Sequence, residues 1–153
     1  MDEVINSYKK LKDKYRLPEY DELDREFLIG DIEKKDYLLE RIRKLIEEKI
    51  RSMIDILENI LQPDSNLINI YEYKFIDDGK KQEVYKIFKK FVMYLRLCEE
   101  ASILKQEQKT AEFISKFYSD YSHLKKETVS IVRLLKESWE KESNIKEELN
   151  YLG

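Results

Sequence analysis

The stretch TAEFISKFYSDYSHLKKETVSIVRLLKESWEKE, residues 110–142, holds neither glycine nor proline, and one seam runs through it at alternating steps of three and four: Ile114, Phe117, Tyr121, Leu124, Thr128, Ile131, Leu135 and Ser138, closing on Trp139. That period places the seam on one side of a long α-helix with a buried face. No other part of the chain is as regular. Because only three glycines and two prolines punctuate all 153 residues, the rest has few places to turn, and the chain reads as an all-α bundle of three long helices with one or two short N-terminal ones.

Working back from this helix, Lys105-Gln106-Glu107-Gln108-Lys109 carries no apolar residue and reads as an exposed turn. Before it, Asp77-Asp78-Gly79 opens a helix whose apolar series Val84, Ile87, Phe88, Phe91, Leu95 and Cys98 runs to about Leu104. Leu67 to Ile76 fits either a helical turn with an extended piece or a short strand. Gln62-Pro63-Asp64-Ser65-Asn66 is the clearest loop. Upstream, nothing breaks a helix between Asp31 and Leu61, where Leu39, Ile42, Ile46, Ile50, Met53, Leu57 and Ile60 form a seam broadened by Leu38, Leu45, Ile54, Ile56 and Leu61. A strip that wide suits two neighbours, as in a bundle. At the start, Asp2–Tyr15 sets Val4, Ile5, Tyr8, Leu11 and Tyr15 on one side before Leu17-Pro18. A short second helix follows, with Tyr20, Leu23, Phe27 and Leu28 facing inward, Gly30 as its stop and Asp31 as the cap of the next. Residues 1–142 read as one helical domain, and 143–153 as a tail with Ile145, Leu149 and Leu152 at helical spacing. There is no internal repeat or low-complexity segment.

Charged residues make up 40% of the chain and apolar ones 42%, a balance that supports a folded core beneath charged helix faces. The 29 basic and 32 acidic side chains leave a net charge of −3, so a nucleic-acid or membrane role needs a local patch. Cys98 is the one cysteine, which excludes an intramolecular disulfide and a thiolate metal cluster. Met1-Asp2-Glu3-Val4-Ile5 lacks the apolar core of a signal peptide, and no run is long enough to span a membrane. The expectation is a cytoplasmic protein without membrane contact. The abundance of Lys, Glu, Ile and Tyr fits an AT-rich genome or a thermophile's charge networks equally.

Few chemistries have their parts. A carboxylate di-iron site in a bundle needs two Glu-x-x-His pairs, and His123 is the single histidine. Asp120 and His123 can share a helix face as a partial metal or acid–base pair, against the simpler reading of a surface histidine beside a salt-bridging aspartate. Glu47-Glu48 and Glu99-Glu100 point about 100° apart on a helix and read as solvated faces. Cys98 lies on the apolar face of its helix, where free cysteines are inert. No nucleophile elbow, phosphate-cradling glycine loop or His-Glu-x-x-His is present. The chain therefore reads as a non-enzyme without cofactor or metal.

What remains is surface. Lys86, Lys89, Lys90 and Arg96 follow one another with no acid between Glu83 and Glu99, and with Lys80 and Lys81 they make a basic stripe bearing Tyr85 and Tyr94. Such a stripe can track phosphates, or it can be a bundle face neutralised by a neighbour's carboxylates. Eleven tyrosines is a high count. Tyr71, Tyr73, Tyr85, Tyr94 and Trp139 are candidate aromatic anchors, a role tyrosine shares evenly with bundle edges. Self-association through the 110–142 helix is a further expectation, with the polar seam positions Thr128 and Ser138 fixing register.

The run Glu40-Arg41-Ile42-Arg43, then Ile50-Arg51, Ile54 and Leu57-Glu58, resembles a stretch in the helical domain of GINS subunits, scaffold proteins of the archaeal and eukaryotic replicative helicase. There a long helix of this style is followed, after a loop, by an acidic helix start comparable to Asp77-Asp78. The resemblance implies a non-enzymatic assembly part and carries no functional residue onto a numbered position. The expected function is that of an intracellular helical interaction or scaffold protein, with a nucleic-acid-associated adaptor as the alternative.

Overall fold

The computed structural model describes residues 2–64 and 66–141, so the expected tail at 143–153 lies outside the described residues. It is an all-α bundle. In chain order come α1 (Asp2–Tyr15), α2 (Tyr20–Phe27), a 3-10 turn (Ile29–Asp31), α3 (Leu38–Leu61), α4 (Leu67–Phe75), α5 (Asp78–Leu104) and α6 (Glu107–Glu140), with no strand among the described residues. These elements form two compact units. The first comprises the described residues through Arg51 together with Val92–Ser122, and the second comprises the described residues of Ser52–Phe91 and those from His123 to Lys141. The three long helices each give a segment to both.

Local chemistry sets the helix ends. Arg16, at φ 56°, closes α1, and the Tyr8 hydroxyl reaches over to donate to the Pro18 carbonyl at 2.5 Å. At the head of α2 the Glu19 amide donates to the Glu22 carboxylate at 3.3 Å. Its far end differs from the sequence expectation. Leu28, not Gly30, terminates the helix: it turns left-handed at φ 56° and donates its amide to Asp24 O. That turn points Leu28 outward, 66% exposed, where the periodicity had placed it inside. Gly30 has a separate reason to be glycine, since its amide donates to Asp24 Oδ1 at 2.7 Å and a Cβ there would sit 2.9 Å from the same oxygen.

A second correction concerns α3, which begins at Leu38 rather than after Asp31. Glu33-Lys34-Lys35-Asp36 is wholly exposed, so a helical turn there would bury nothing to offset its ordering entropy. Tyr37, left-handed at φ 53°, then starts the helix while the Arg41 guanidinium donates to Asp36 O at 2.8 Å. The undecided segment at 67–76 is helical over Leu67–Phe75, with the Asn66 side chain accepting the Asn69 amide at 2.9 Å. Asp77 caps α5 in the same way, accepting from the Lys80 amide at 2.8 Å. The turn before α6 is shorter than the polar run suggests: Lys105 alone is left-handed, and Glu107, Gln108 and Lys109 enter the first helical turn as an exposed face.

The first unit has an aromatic centre. Phe117, fully buried, lies 5.9 Å from Phe27, 5.2 Å from Tyr94, 6.1 Å from Phe113 and 5.2 Å from Tyr121, measured between ring centroids. Leu39, Ile42, Ile46 and Ile50 of α3 are buried in the same unit. In the second unit the buried set is Leu57, Ile60, Tyr71, Ile76, Val84, Ile87 and Phe91 with Leu124, Thr128, Ile131, Leu135 and Ser138 of α6. Every seam position of α6 from Ile114 to Ser138 is thus buried within the chain's own units. This removes that seam as a self-association surface. Thr128 and Ser138 do not reach a partner either, because their hydroxyls donate back to Leu124 O at 2.8 Å and Leu135 O at 2.5 Å.

Candidate interaction surface

Of the five candidate aromatic anchors, two are interior. Tyr94 is 1% exposed; its ring stands edge-on to Phe117 and its hydroxyl donates to the Asp120 carboxylate. Burial first, then that carboxylate, push its phenol well above the ordinary tyrosine range. Tyr71 is buried in the second unit, where its hydroxyl donates to Ser138 O at 2.9 Å and its ring lies 4.2 Å from that of Trp139. Tyr73 is half-buried beneath the Lys81 ammonium, 3.7 Å from the ring centre. Tyr85 and Trp139 remain on the surface, about half exposed. Trp139 is nonetheless fixed, because its indole N–H donates to Glu72 at 2.9 Å.

The basic stripe divides along α5. Lys80 pairs with Glu83 at 2.9 Å, and Arg96, in the first unit, pairs with Glu99. Lys86, Lys89 and Lys90 are all exposed in the second unit, and at 100° per residue they fall within an arc of about 100°. Among the described residues no carboxylate comes within 4.0 Å of any of the three. Tyr85 stands beside them, its ring 6.4 Å from that of Phe88. These lysines stand on one exposed helix face with no close ion pair among the described residues.

Asp120 accepts from Tyr94, while His123 lies 2.6 Å from Glu127, so the suggested aspartate–histidine pair gives way to two separate partnerships. Among the described residues, no group of three or more His, Cys, Asp and Glu side chains is placed to hold a metal ion. One buried polar cluster went unread in the sequence. Arg43, 3% exposed, donates to Glu40 at 2.6 and 2.9 Å, to Glu47 at 2.8 Å and to Cys98 Sγ at 3.2 Å. Burial works against its charge, and Glu40, Cys98 and Glu47 outweigh it, so the guanidinium titrates above its ordinary range. For Cys98 the balance is the reverse: burial, the largest influence, lifts the thiol from 9.0 to about 11 despite the Arg43 charge. Cys98 is accordingly a buried thiol held in its protonated form near neutral pH.

Arg43 also lines a cavity of about 480 Å³ with Tyr37, Glu40, Lys44, Ser102 and Lys105. Glu107 is also in the lining, which thus carries two acids and three bases, and it gathers no nucleophile–base pair. No helix of the described residues is long and apolar enough to cross a membrane. Comparison of the chain with protein-family models, with curated proteins and with solved structures yields no match.

Proposed function

We propose that this chain is a non-catalytic helical interaction protein of the cell interior that engages an anionic partner through the outward face of α5. The observation that supports this reading is the trio Lys86, Lys89 and Lys90, exposed on one helix face with no carboxylate at ion-pair distance among the described residues. Three like charges held together cost self-repulsion, which a partner bearing opposite charge relieves. Exposed Tyr85 adds a broad contact of low entropy cost at the edge of the face.

A nucleic-acid-associated adaptor, of the kind the GINS resemblance implies, is the second reading. The same uncompensated lysines favour it, since a phosphate backbone releases counterions on contact with such a strip. Gel-shift titration separates the two. Under the adaptor reading, binding weakens steeply with salt and disappears in the Lys86→Glu/Lys89→Glu/Lys90→Glu variant. Under the protein-partner reading, oligonucleotides do not shift at low salt, while an affinity pull-down from the native organism loses a partner in that variant. If the variant changes neither measurement, the α5 reading fails.

A further inference from the structure

The cavity of about 480 Å³ that Arg43 lines lies wholly in the first unit, bordered by the first turns of α3, the end of α5 and the start of α6. Its volume is that of a small-molecule site. The Arg43 side chain is 3% exposed, and its bonds to Glu40, Glu47 and Cys98 use the Nε–H, both Nη1–H groups and one Nη2–H. The second Nη2–H is left without an acceptor among the described residues. The acids around the cavity are already matched. Glu40 and Glu47 share Arg43, and Glu47 also pairs with Arg51 at 3.2 Å, while Glu107 accepts from the Tyr15 hydroxyl at 2.7 Å and lies 3.7 Å from Lys14. Lys44 and Lys105 are left over. Both are exposed, and among the described residues no carboxylate comes within 4.0 Å of either, Glu48 one turn after Lys44 included.

We infer that this cavity binds a small organic dianion, a phosphomonoester or a dicarboxylate, with Lys44 and Lys105 meeting its charge and the open Nη2–H of Arg43 donating to one of its oxygens. The two unmatched ammonium groups set the charge of the ligand. A guanidinium N–H aimed at an anionic oxygen makes the stronger, charge-assisted kind of hydrogen bond, and it meets a buried donor that otherwise costs free energy. The volume, with Leu39 and Tyr37 in the wall, leaves room for the carbon part of the ligand. Helix ends add the same sign of charge, since the N-termini of α3 and α6 border the cavity against the single C-terminus of α5. Arg43 lies too deep for a phosphate backbone laid across the surface. With no nucleophile–base pair in the lining, the ligand is bound without being converted. The site goes beyond the proposed function and uses residues separate from the α5 lysines.

The test is isothermal titration calorimetry of the full chain at low salt with glycerol phosphate and with succinate, and with glycerol as the neutral control. At least one dianion is expected to bind one-to-one with a Kd below about 1 mM, and glycerol is expected not to bind. The tighter of the two dianions tells a phosphate ester site from a carboxylate site. Lys44→Glu and Lys105→Glu should each weaken binding about tenfold or more. Both positions are exposed, so unchanged helical dichroism and melting temperature certify the fold. The Lys86→Glu/Lys89→Glu/Lys90→Glu variant should bind the dianion unchanged. No binding of either dianion, equal binding of glycerol, indifference to both cavity substitutions, or loss of binding in the α5 variant overturns the inference. If no dianion binds while the α5 variant still loses its partner in the pull-down, this inference falls and the proposed function stands.

Discussion

Replacing Arg43 with methionine tests the polar cluster inside the first unit. The methionine fills most of the space of the arginine stem, so the change deletes charge and hydrogen bonds more than volume. Arg43 donates to Glu40 and Glu47 at 2.6 to 2.9 Å. Charge-assisted bonds of this kind contribute about 1.5–3 kcal/mol each when buried. The carboxylates, however, are only partly enclosed, with side-chain exposures of 32% for Glu40 and 27% for Glu47. Once released they turn to water, so the loss falls short of the ~3–5 kcal/mol typical of a stranded buried charge. The expected destabilisation is about 2 kcal/mol near pH 7 in urea titrations followed by far-UV circular dichroism. The pH dependence sharpens the test. Glu47 is held below the ordinary carboxylate range: burial raises it, and Arg43 and Arg51 more than reverse that. A depressed carboxyl contributes stability above its unfolded value of about 4.5, lost as pH falls through the folded value. Wild type and variant should therefore converge as the pH drops below about 4. A gap under about 0.5 kcal/mol at pH 7, or one that widens in acid, would refute the cluster's assigned role.

Four further outcomes rest on the same structure. Phe117→Ala removes the ring at the centre of the aromatic core and should cost about 3–5 kcal/mol, lowering the melting temperature in calorimetry by on the order of 10 °C; a shift of a degree or two would mean that the core is not packed as described. Gly30→Ala, whose new methyl would press on Asp24 Oδ1 at 2.9 Å, should destabilise by about 1 kcal/mol in the same titration, and a neutral result would show that this end of α2 yields freely. Cys98 should resist thiol reagents at pH 8 until urea is added. The Cys98 thiol is lifted to about 11 and the Tyr121 phenol, mainly by burial, to about 12, so both stay protonated in the fold. Raised acids contribute stability that is complete below their unfolded values of 9.0 and 10.0 and is lost as pH rises towards the folded ones. An alkaline unfolding transition beginning above about pH 9 is expected, and stability flat to pH 12 would contradict it.

Much of this architecture is legible in residue spacing. The eight seam positions of α6 from Ile114 to Ser138 were read from their three-and-four steps, and all are buried. The limits of that reading are physical. Leu28 and Tyr37 turn left-handed without being glycine or asparagine, so no residue type marked the end of α2 or the start of α3. Tyr94 follows Phe91 by three and precedes Cys98 by four, which puts it on the α5 seam; its hydroxyl suggested a surface role, yet Asp120 satisfies that group from α6. Arg43 stands one turn beyond Leu39 on the apolar side of α3, and the carboxylates three before and four after it were the available sign that a buried charge was provided for. The exposed lysines of α5 were visible in sequence. Whether another helix neutralised them was not, because that depends on which carboxylates the fold brings within reach.

The central claim is that exposed charged helix faces, not an enclosed reactive site, are what this chain presents to other molecules. Quantitative in-cell crosslinking in the native organism tests it most directly, comparing wild type with Lys86→Glu/Lys89→Glu/Lys90→Glu at equal expression and equal melting temperature. Loss of at least one abundant crosslinked partner from the variant, with the remainder unchanged, is the predicted result. An identical set of crosslinked molecules in identical amounts would contradict the account.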